Sequence, residues 1–130
     1  MKSKTKRKPK GRYEPYQGKM VYFQTQAKAD RYLQLIKFSE QKLIIDLELY
    51  PTLTAVVHNV KVCTFQPDFR YMTLEINGHR GYRVIEDVKA DATELYKLRK
   101  QLIELTNSCI INNIKASEVN KWVTTIPKNQ

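Results

Sequence analysis

Two acids and a lysine stand in a pattern that could do chemistry: Asp68, in Pro67-Asp68-Phe69, and Asp87 with Lys89, in Asp87-Val88-Lys89. Side chains two apart on a strand share a face, so Asp87 and Lys89 point the same way. Two carboxylates and an ammonium on one face suit a divalent metal, Mg²⁺ or Mn²⁺, that organises a phosphate and a nucleophilic water. That chemistry requires Asp68 to reach the same face.

The stretch Thr64–Ala90 supplies the means. Phe65, Phe69, Tyr71, Met72, Leu74 and Ile76 read as one strand, and Tyr82, Val84, Ile85 and Val88 as the next. Between them Asn77-Gly78 is a strong hairpin signal, because a type I′ turn needs φ > 0 at both central residues. A two-residue loop sets Ile76 opposite His79, Leu74 opposite Gly81, Met72 opposite Arg83, Arg70 opposite Ile85 and Asp68 opposite Asp87. Glu75 then faces Arg80, and Thr73 faces Tyr82. Opposed like charges destabilise a sheet. A raised pKa on one carboxyl, solvent access at a fraying end, or a bound cation would each offset the repulsion. A four-residue loop over Asn77–Arg80 instead sets Asp68 against Lys89. Both registers cluster the three residues.

Pro67-Asp68 followed by Asp87-Val88-Lys89 resembles the signature of the PD-(D/E)XK nuclease superfamily. The flanks resemble its short phage-type and junction-resolving endonucleases. Pro67–Phe69 and a following helix carrying Thr93, Lys97, Arg99 and Lys100 agree with it. The resemblance spans roughly Phe23–Ile114. It implies a restriction-endonuclease-like α/β/α fold and metal-dependent cleavage of DNA to 5′-phosphate and 3′-hydroxyl ends. Asp68 and Asp87 would ligate Mg²⁺ or Mn²⁺, and Lys89 would orient or deprotonate the water. In such enzymes the first helix adds a glutamate to the metal. Aligning Phe23-Gln24-Thr25 with that helix entry puts Lys28 at the acid's place, a departure that leaves Asp30 or Glu40 as substitute ligands. Asp30 lies about 200° around the helix from Lys28, so it replaces that position only if the helix rotates.

The elements around the hairpin follow from pattern. Thr25 caps a helix over 26–41 whose core stripe is Ala29, Tyr32, Leu33, Ile36 and Phe38, with Lys28, Asp30, Arg31, Gln34 and Lys37 on the polar face. Ile44–Leu49 makes a strand that Pro51 ends. Leu53–Val57 and Val60–Cys63, turning at His58-Asn59, continue the sheet. His58 and His79 read as exposed turn residues. The hairpin is apolar on both faces, which calls for helices on both. A second helix, capped by Asp91 or Thr93, points Leu95, Leu98, Leu102, Ile103 and Leu105 at the core. Lys97 and Lys100, one turn apart, suit a phosphate backbone or a solvated basic face. Ser108–Ile114 forms a strand parallel to the hairpin's second strand, and Ser117–Val123 a short helix with a packed Trp122. Glu86 points away from Asp87. The expected class is α/β, a mixed central sheet flanked by helices.

The 130 residues favour one domain. With 42 % hydrophobic and 28 % charged residues the chain reads as globular. No apolar run is long enough to span a membrane and no signal peptide is visible. Cys63 and Cys109 lack metal-site spacing and read as buried thiols of an intracellular, cytoplasmic protein, encoded by a phage or prophage if the resemblance holds.

Net charge is +10, and seven basic residues, Lys2, Lys4, Lys6, Arg7, Lys8, Lys10 and Arg12, precede the first acid, Glu14. Residues 1–20 therefore form a flexible basic arm ahead of one domain over 21–130, and Lys6, Arg7, Lys8 and Lys10 are its expected phosphate contacts. A solubilising or localisation tail fits the same composition. Within Tyr13–Tyr22 the tyrosines either stack on bases or pack on the domain as an ordered lead-in, the reading favoured here.

Three functions are compatible with these residues. The leading one is a metal-dependent endonuclease acting on duplex or branched DNA such as Holliday junctions, as a homodimer if both strands are cut. The second is a non-catalytic nucleic-acid binder, either a degenerate nuclease fold or a ribosome-associated protein, which Lys28 favours. The third is a structural protein docking its tail on a polyanion.

Overall fold

Hairpin register is set by the turn that joins its strands, and the computed structural model adopts the two-residue register. It describes residues 11–74, 78 and 80–128. In chain order the elements are β1 (Arg12–Tyr16), β2 (Lys19–Phe23), α1 (Gln26–Glu40), β3 (Ile44–Leu49), β4 (Leu53–Val57), β5 (Val60–Phe65), β6 (Phe69–Thr73), β7 (Arg83–Lys89), α2 (Glu94–Asn107), β8 (Ile111–Lys115) and a 3-10 helix (Ala116–Trp122). Arg70 pairs with Ile85 and Met72 with Arg83. Gly78 has φ +79°, as the turn requires. Glu75, Ile76, Asn77 and His79 lie outside the described residues. Gly81 is dictated by close approach: a Cβ there would sit 2.1 Å from the Thr73 carbonyl oxygen. Beside it the Thr73 amide donates to the Tyr82 carbonyl at 2.8 Å, and the Tyr82 amide donates to Thr73 Oγ1 at 2.9 Å.

The main sheet has the order β3-β6-β7-β8, antiparallel at the first two pairings and parallel at the last. α2 is the crossover between the parallel strands, as expected. Both faces are covered. Against α1, Phe69, Tyr71, Val84, Val88 and Ile114 pack with Ala29, Tyr32, Leu35 and Phe38. On the other face Ile85 and Ile111 pack with Ile103 of α2 and with Leu53, Ala55 and Phe65. Each large apolar side chain so buried contributes about 1.5–3 kcal/mol.

Leu33, expected in the core stripe of α1, is exposed, and Leu35 is buried in its stead; four further expectations need correction. β4 and β5 do not continue the main sheet. They form a separate hairpin, turning at His58 (φ 50°) and Asn59 (φ 65°), which covers the α2 side of the core. The basic arm does not extend to residue 20: β1 and β2 pair from Arg12 to Phe23. Tyr16 there donates to the Leu47 carbonyl at 2.7 Å and packs edge-on against Tyr32, so the lead-in is ordered, while the Tyr13 and Tyr22 rings lie exposed against each other. Residues 1–10, with Lys6, Arg7, Lys8 and Lys10, lie outside the described residues.

The third correction is Arg31, assigned to the polar face of α1 but fully buried, as is Glu86 on β7. Its Nε and Nη2 donate to the two Glu86 carboxylate oxygens at 2.7 and 2.6 Å, and its remaining protons go to Gln34 and to the carbonyls of Trp122 and Thr125. Tyr71 Oη also donates to Glu86. The pair pins the chain after the 3-10 helix to the sheet. The fourth correction concerns α2. Only Ile103 of its five expected core residues is buried; Leu102 is half-buried, and Leu95, Leu98 and Leu105 are exposed. Cys63 and Cys109 are half-buried thiols, and no described helix is long and apolar enough to cross a membrane.

Candidate functional site

Asp68 sits one residue before β6, its amide donating to the Glu86 carbonyl at 3.1 Å. Continuing the register by that residue brings Asp68 beside Asp87, both buried. The position follows from Pro67, which cannot donate to the ladder, and from a hairpin whose pairing ends here. Asp68 Oδ2 accepts from the Val88 amide at 2.8 Å, a bond that fixes the carboxylate toward β7.

The repulsion between the acids is offset in two ways. Asp87 has its pKa pushed up to about 7, first by burial and then by the Asp68 charge, although the Tyr96 hydroxyl it accepts from opposes the shift. That hydroxyl donates to Asp87 Oδ2 at 2.5 Å, and Asn113 Nδ2 donates to the Tyr96 oxygen at 2.7 Å. Burial, reinforced by the Asp87 carboxylate, raises the Tyr96 phenol in turn. The second offset is a cation, and the chain provides it. Lys28 Nζ donates to Asp68 Oδ1 at 2.8 Å, to Oδ2 at 2.6 Å and to the Val88 carbonyl at 2.9 Å.

Lys28 therefore occupies the focus of the site. Thr25 caps α1 by accepting from the Lys28 amide at 3.2 Å, so the first turn aims this side chain at the sheet. The Asp68 oxygens and the Val88 carbonyl converge on its ammonium. Hard oxygen donors of this kind are those that Mg²⁺ and Mn²⁺ take. The donor set fits a divalent cation, on condition that the ammonium leaves. The described residues contain no cluster of three His, Cys, Asp or Glu able to hold a metal.

These groups line a cleft of about 540 Å³ that also admits Gln24, Tyr50, Gln66, Lys89, Thr93, Leu95, Tyr96 and Arg99. Lys89 also lines it, with Nζ 4.4 Å from the centre of the Tyr96 ring, a cation–π contact that holds the ammonium over the ring that bonds Asp87. Burial, with the Asp68 charge second, pushes the Tyr50 phenol up to about 12. Three cations, Lys28, Lys89 and Arg99, line the cleft with the two carboxylates, and Lys28 is ion-paired to Asp68.

The structure brings together Asp68, Asp87 and Lys89. It does not bring Asp30, the substitute metal ligand, to them: Asp30 accepts from Arg12 Nη2 at 2.9 Å and does not line the cleft. Glu40 is exposed at the far end of α1. Lys97 and Lys100 lie against Glu94 and Glu104, at 3.4 and 3.7 Å, and neither lines the cleft. Arg99 does. Tyr96 and Asn113 escaped the sequence reading. Nothing in the spacing marks them, since their role rests on α2 and β8 lying beside Asp87. Glu86 faces away from the cleft, as expected.

Comparison of the chain with protein-family models, curated proteins and solved structures returns no match.

Proposed function

We propose that the chain is an endonuclease hydrolysing DNA phosphodiester bonds with Mg²⁺ or Mn²⁺, on the PD-(D/E)XK plan. The observation that carries this reading is the buried Asp68–Asp87 pair with Lys89 beside it. Two carboxylates held together against their repulsion, in a cleft rimmed by cations, are poor for stability and useful for phosphoryl chemistry. The element order, one helix, three antiparallel strands, a crossover helix and a parallel strand, supports a restriction-endonuclease-like core, with β4 and β5 as an insertion.

Asp68, Asp87 and the Val88 carbonyl are the residues that would hold the cation. A divalent ion in such a cleft adds positive charge at the phosphate and makes a water more acidic. Lys89 lines the cleft, where its ammonium would offset charge that develops on the phosphate oxygens. Tyr96 fixes the Asp87 carboxylate through its hydroxyl. One cleft per chain cuts one strand, so cutting both calls for a homodimer. The shape of branched DNA, such as a four-way junction, suits a protein whose basic groups meet phosphate rather than base edges.

Supercoiled plasmid and a synthetic four-way junction, incubated with EDTA, Mg²⁺ or Mn²⁺, test the proposal. Nicked or resolved product with metal, abolished by Asp87→Asn, is the expected result. Binding without cleavage in every condition favours the second reading, a nucleic-acid binder on a degenerate nuclease core. The Lys28 ammonium seated on Asp68 is the observation behind it.

A further inference from the structure

α2 has two apolar faces. One, centred on Ile103 and flanked by Tyr96, enters the core. The other presents Leu95, Leu98 and Leu105, exposed to 59 %, 62 % and 73 %, with half-buried Leu102 at its edge. Leu102 also packs partly against the core, but a short helix seldom leaves three leucines of one stripe in water. Their spacing is 3-4-3, the a/d repeat of a coiled coil rather than the broader stripe of a helix lying on a sheet.

We infer that this face is the docking surface for α2 of a second copy of the same chain, the two helices parallel and in register. With Leu95 and Leu102 at a, and Leu98 and Leu105 at d, each leucine layer meets its own counterpart across a two-fold axis. The flanking residues select the polarity. Glu94 falls at g and Arg99 at the following e, so a parallel pair sets Glu94 of each copy against Arg99 of the other. Glu94 reaches only Lys97, at 3.4 Å and almost fully in solvent, and Arg99 makes no ion pair among the described residues. Antiparallel pairing would set Arg99 against Thr106 and Glu94 against Gln101, gaining no opposite charges.

Leu95 and Arg99 also line the cleft. Parallel α2 helices thus carry the two clefts at the same end of the dimer, beside the seam. Two heptads bury less than the roughly 1,200 Å² at the lower bound of standard interfaces, so association is weak and concentration-dependent.

Sedimentation of the full chain over micromolar to millimolar concentrations reads the association, with no dependence on nuclease activity. The expected result is reversible dimerisation, lost in Leu98→Glu/Leu105→Glu while the circular dichroism and melting temperature hold, since both positions are exposed. Glu94→Arg should weaken the dimer, and Glu94→Arg with Arg99→Glu should restore it. A monomer at every concentration, or a dimer indifferent to the leucine substitutions, overturns the inference. A dimer that responds to the leucines but is not restored by the charge swap overturns the parallel register. If the leucine variant loses its melting transition, Leu98→Gln/Leu105→Gln replaces it and is judged on the same outcomes.

Discussion

Replacing Lys28 by Met removes the ammonium from the cleft and keeps most of the side chain's volume. The Lys28 and Asp68 side chains are 14 % and 5 % exposed, and Nζ lies 2.6 Å from Oδ2. At an effective dielectric near 20, the gross attraction across that distance is about 6 kcal/mol. Part of it is returned, because the ammonium no longer needs to be desolvated and Asp68 keeps its bond from the Val88 amide. Removing one partner of a buried pair costs about 3–5 kcal/mol, and water entering the cleft puts Lys28→Met near the lower end. In EDTA the variant should therefore be about 3 kcal/mol less stable. For a chain of this size that lowers the melting temperature by about 10 °C.

Manganese should reverse the order of responses. In the parent a divalent ion gains the Asp68 oxygens only by displacing the ammonium, so its net binding is weak. In Lys28→Met the same oxygens are open, and Mn²⁺ at a hundredfold excess over Kd restores about 2.7 kcal/mol. Melting curves of both proteins in EDTA and in Mn²⁺ make the comparison. An unchanged melting temperature in EDTA, or a variant no more responsive to Mn²⁺ than the parent, would refute the view that Lys28 fills the cation's place.

Four further outcomes follow from the same geometry. The Asp87 pKa is raised from 3.8 to about 7, so the folded state holds a proton the unfolded chain releases. Its contribution is present below about pH 4 and lost as pH rises toward 7, an upper bound of about 4 kcal/mol; Asp87→Asn in EDTA should flatten that fall and exceed parent stability at pH 8, and parallel pH profiles would exclude it. Arg31→Met should cost about 3–5 kcal/mol by denaturant titration, because it strands a buried carboxylate, while Arg31→Met/Glu86→Leu recovers most of the loss. Lys89→Ala should leave the fold and DNA binding nearly intact and lower cleavage at least ~100-fold in the plasmid assay, whereas unchanged cleavage removes Lys89 from the mechanism. Deleting Met1–Lys10, which spares Arg12 and its ties to Glu14 and Asp30, should lower the salt slope of DNA binding by up to about 5 with no change in melting temperature.

What the sequence made legible was local. Asn77-Gly78 and alternation narrowed the hairpin to two registers, of which the structure adopts the two-residue one, Thr25 marked the first helix start and Asp91 or Thr93 the second, and the crossover rule oriented β8. What it hid depends on partners far along the chain. Arg31 reads as a surface cation because its carboxylate lies 55 residues on, and its charge says nothing of a buried ion pair until α1 is laid on β7. The α2 leucines misled for a different reason: an apolar stripe has the same appearance whether it meets its own core or another molecule. Asp30 failed as a ligand because it shares a surface with Arg12, a residue first assigned to a flexible arm.

The carboxylate pair draws these strands together. A sheet gains nothing from setting Asp68 beside Asp87, and an asparagine at either place would keep the backbone hydrogen bonds. The chain instead surrounds the pair with compensations from four elements: Lys28 from α1, the Val88 amide from β7, Tyr96 from α2, and Asn113 from β8 behind Tyr96. Such convergence on a destabilising pair is what a site held for charge looks like. It also gives Lys28 a reason on the proposed nuclease reading. Where an acid would add a third negative charge and make the metal-free fold depend on a bound ion, a lysine neutralises the pair without one. On the proposed reading the fold needs no bound ion, and a divalent cation would compete for the Asp68 oxygens rather than be a condition of folding.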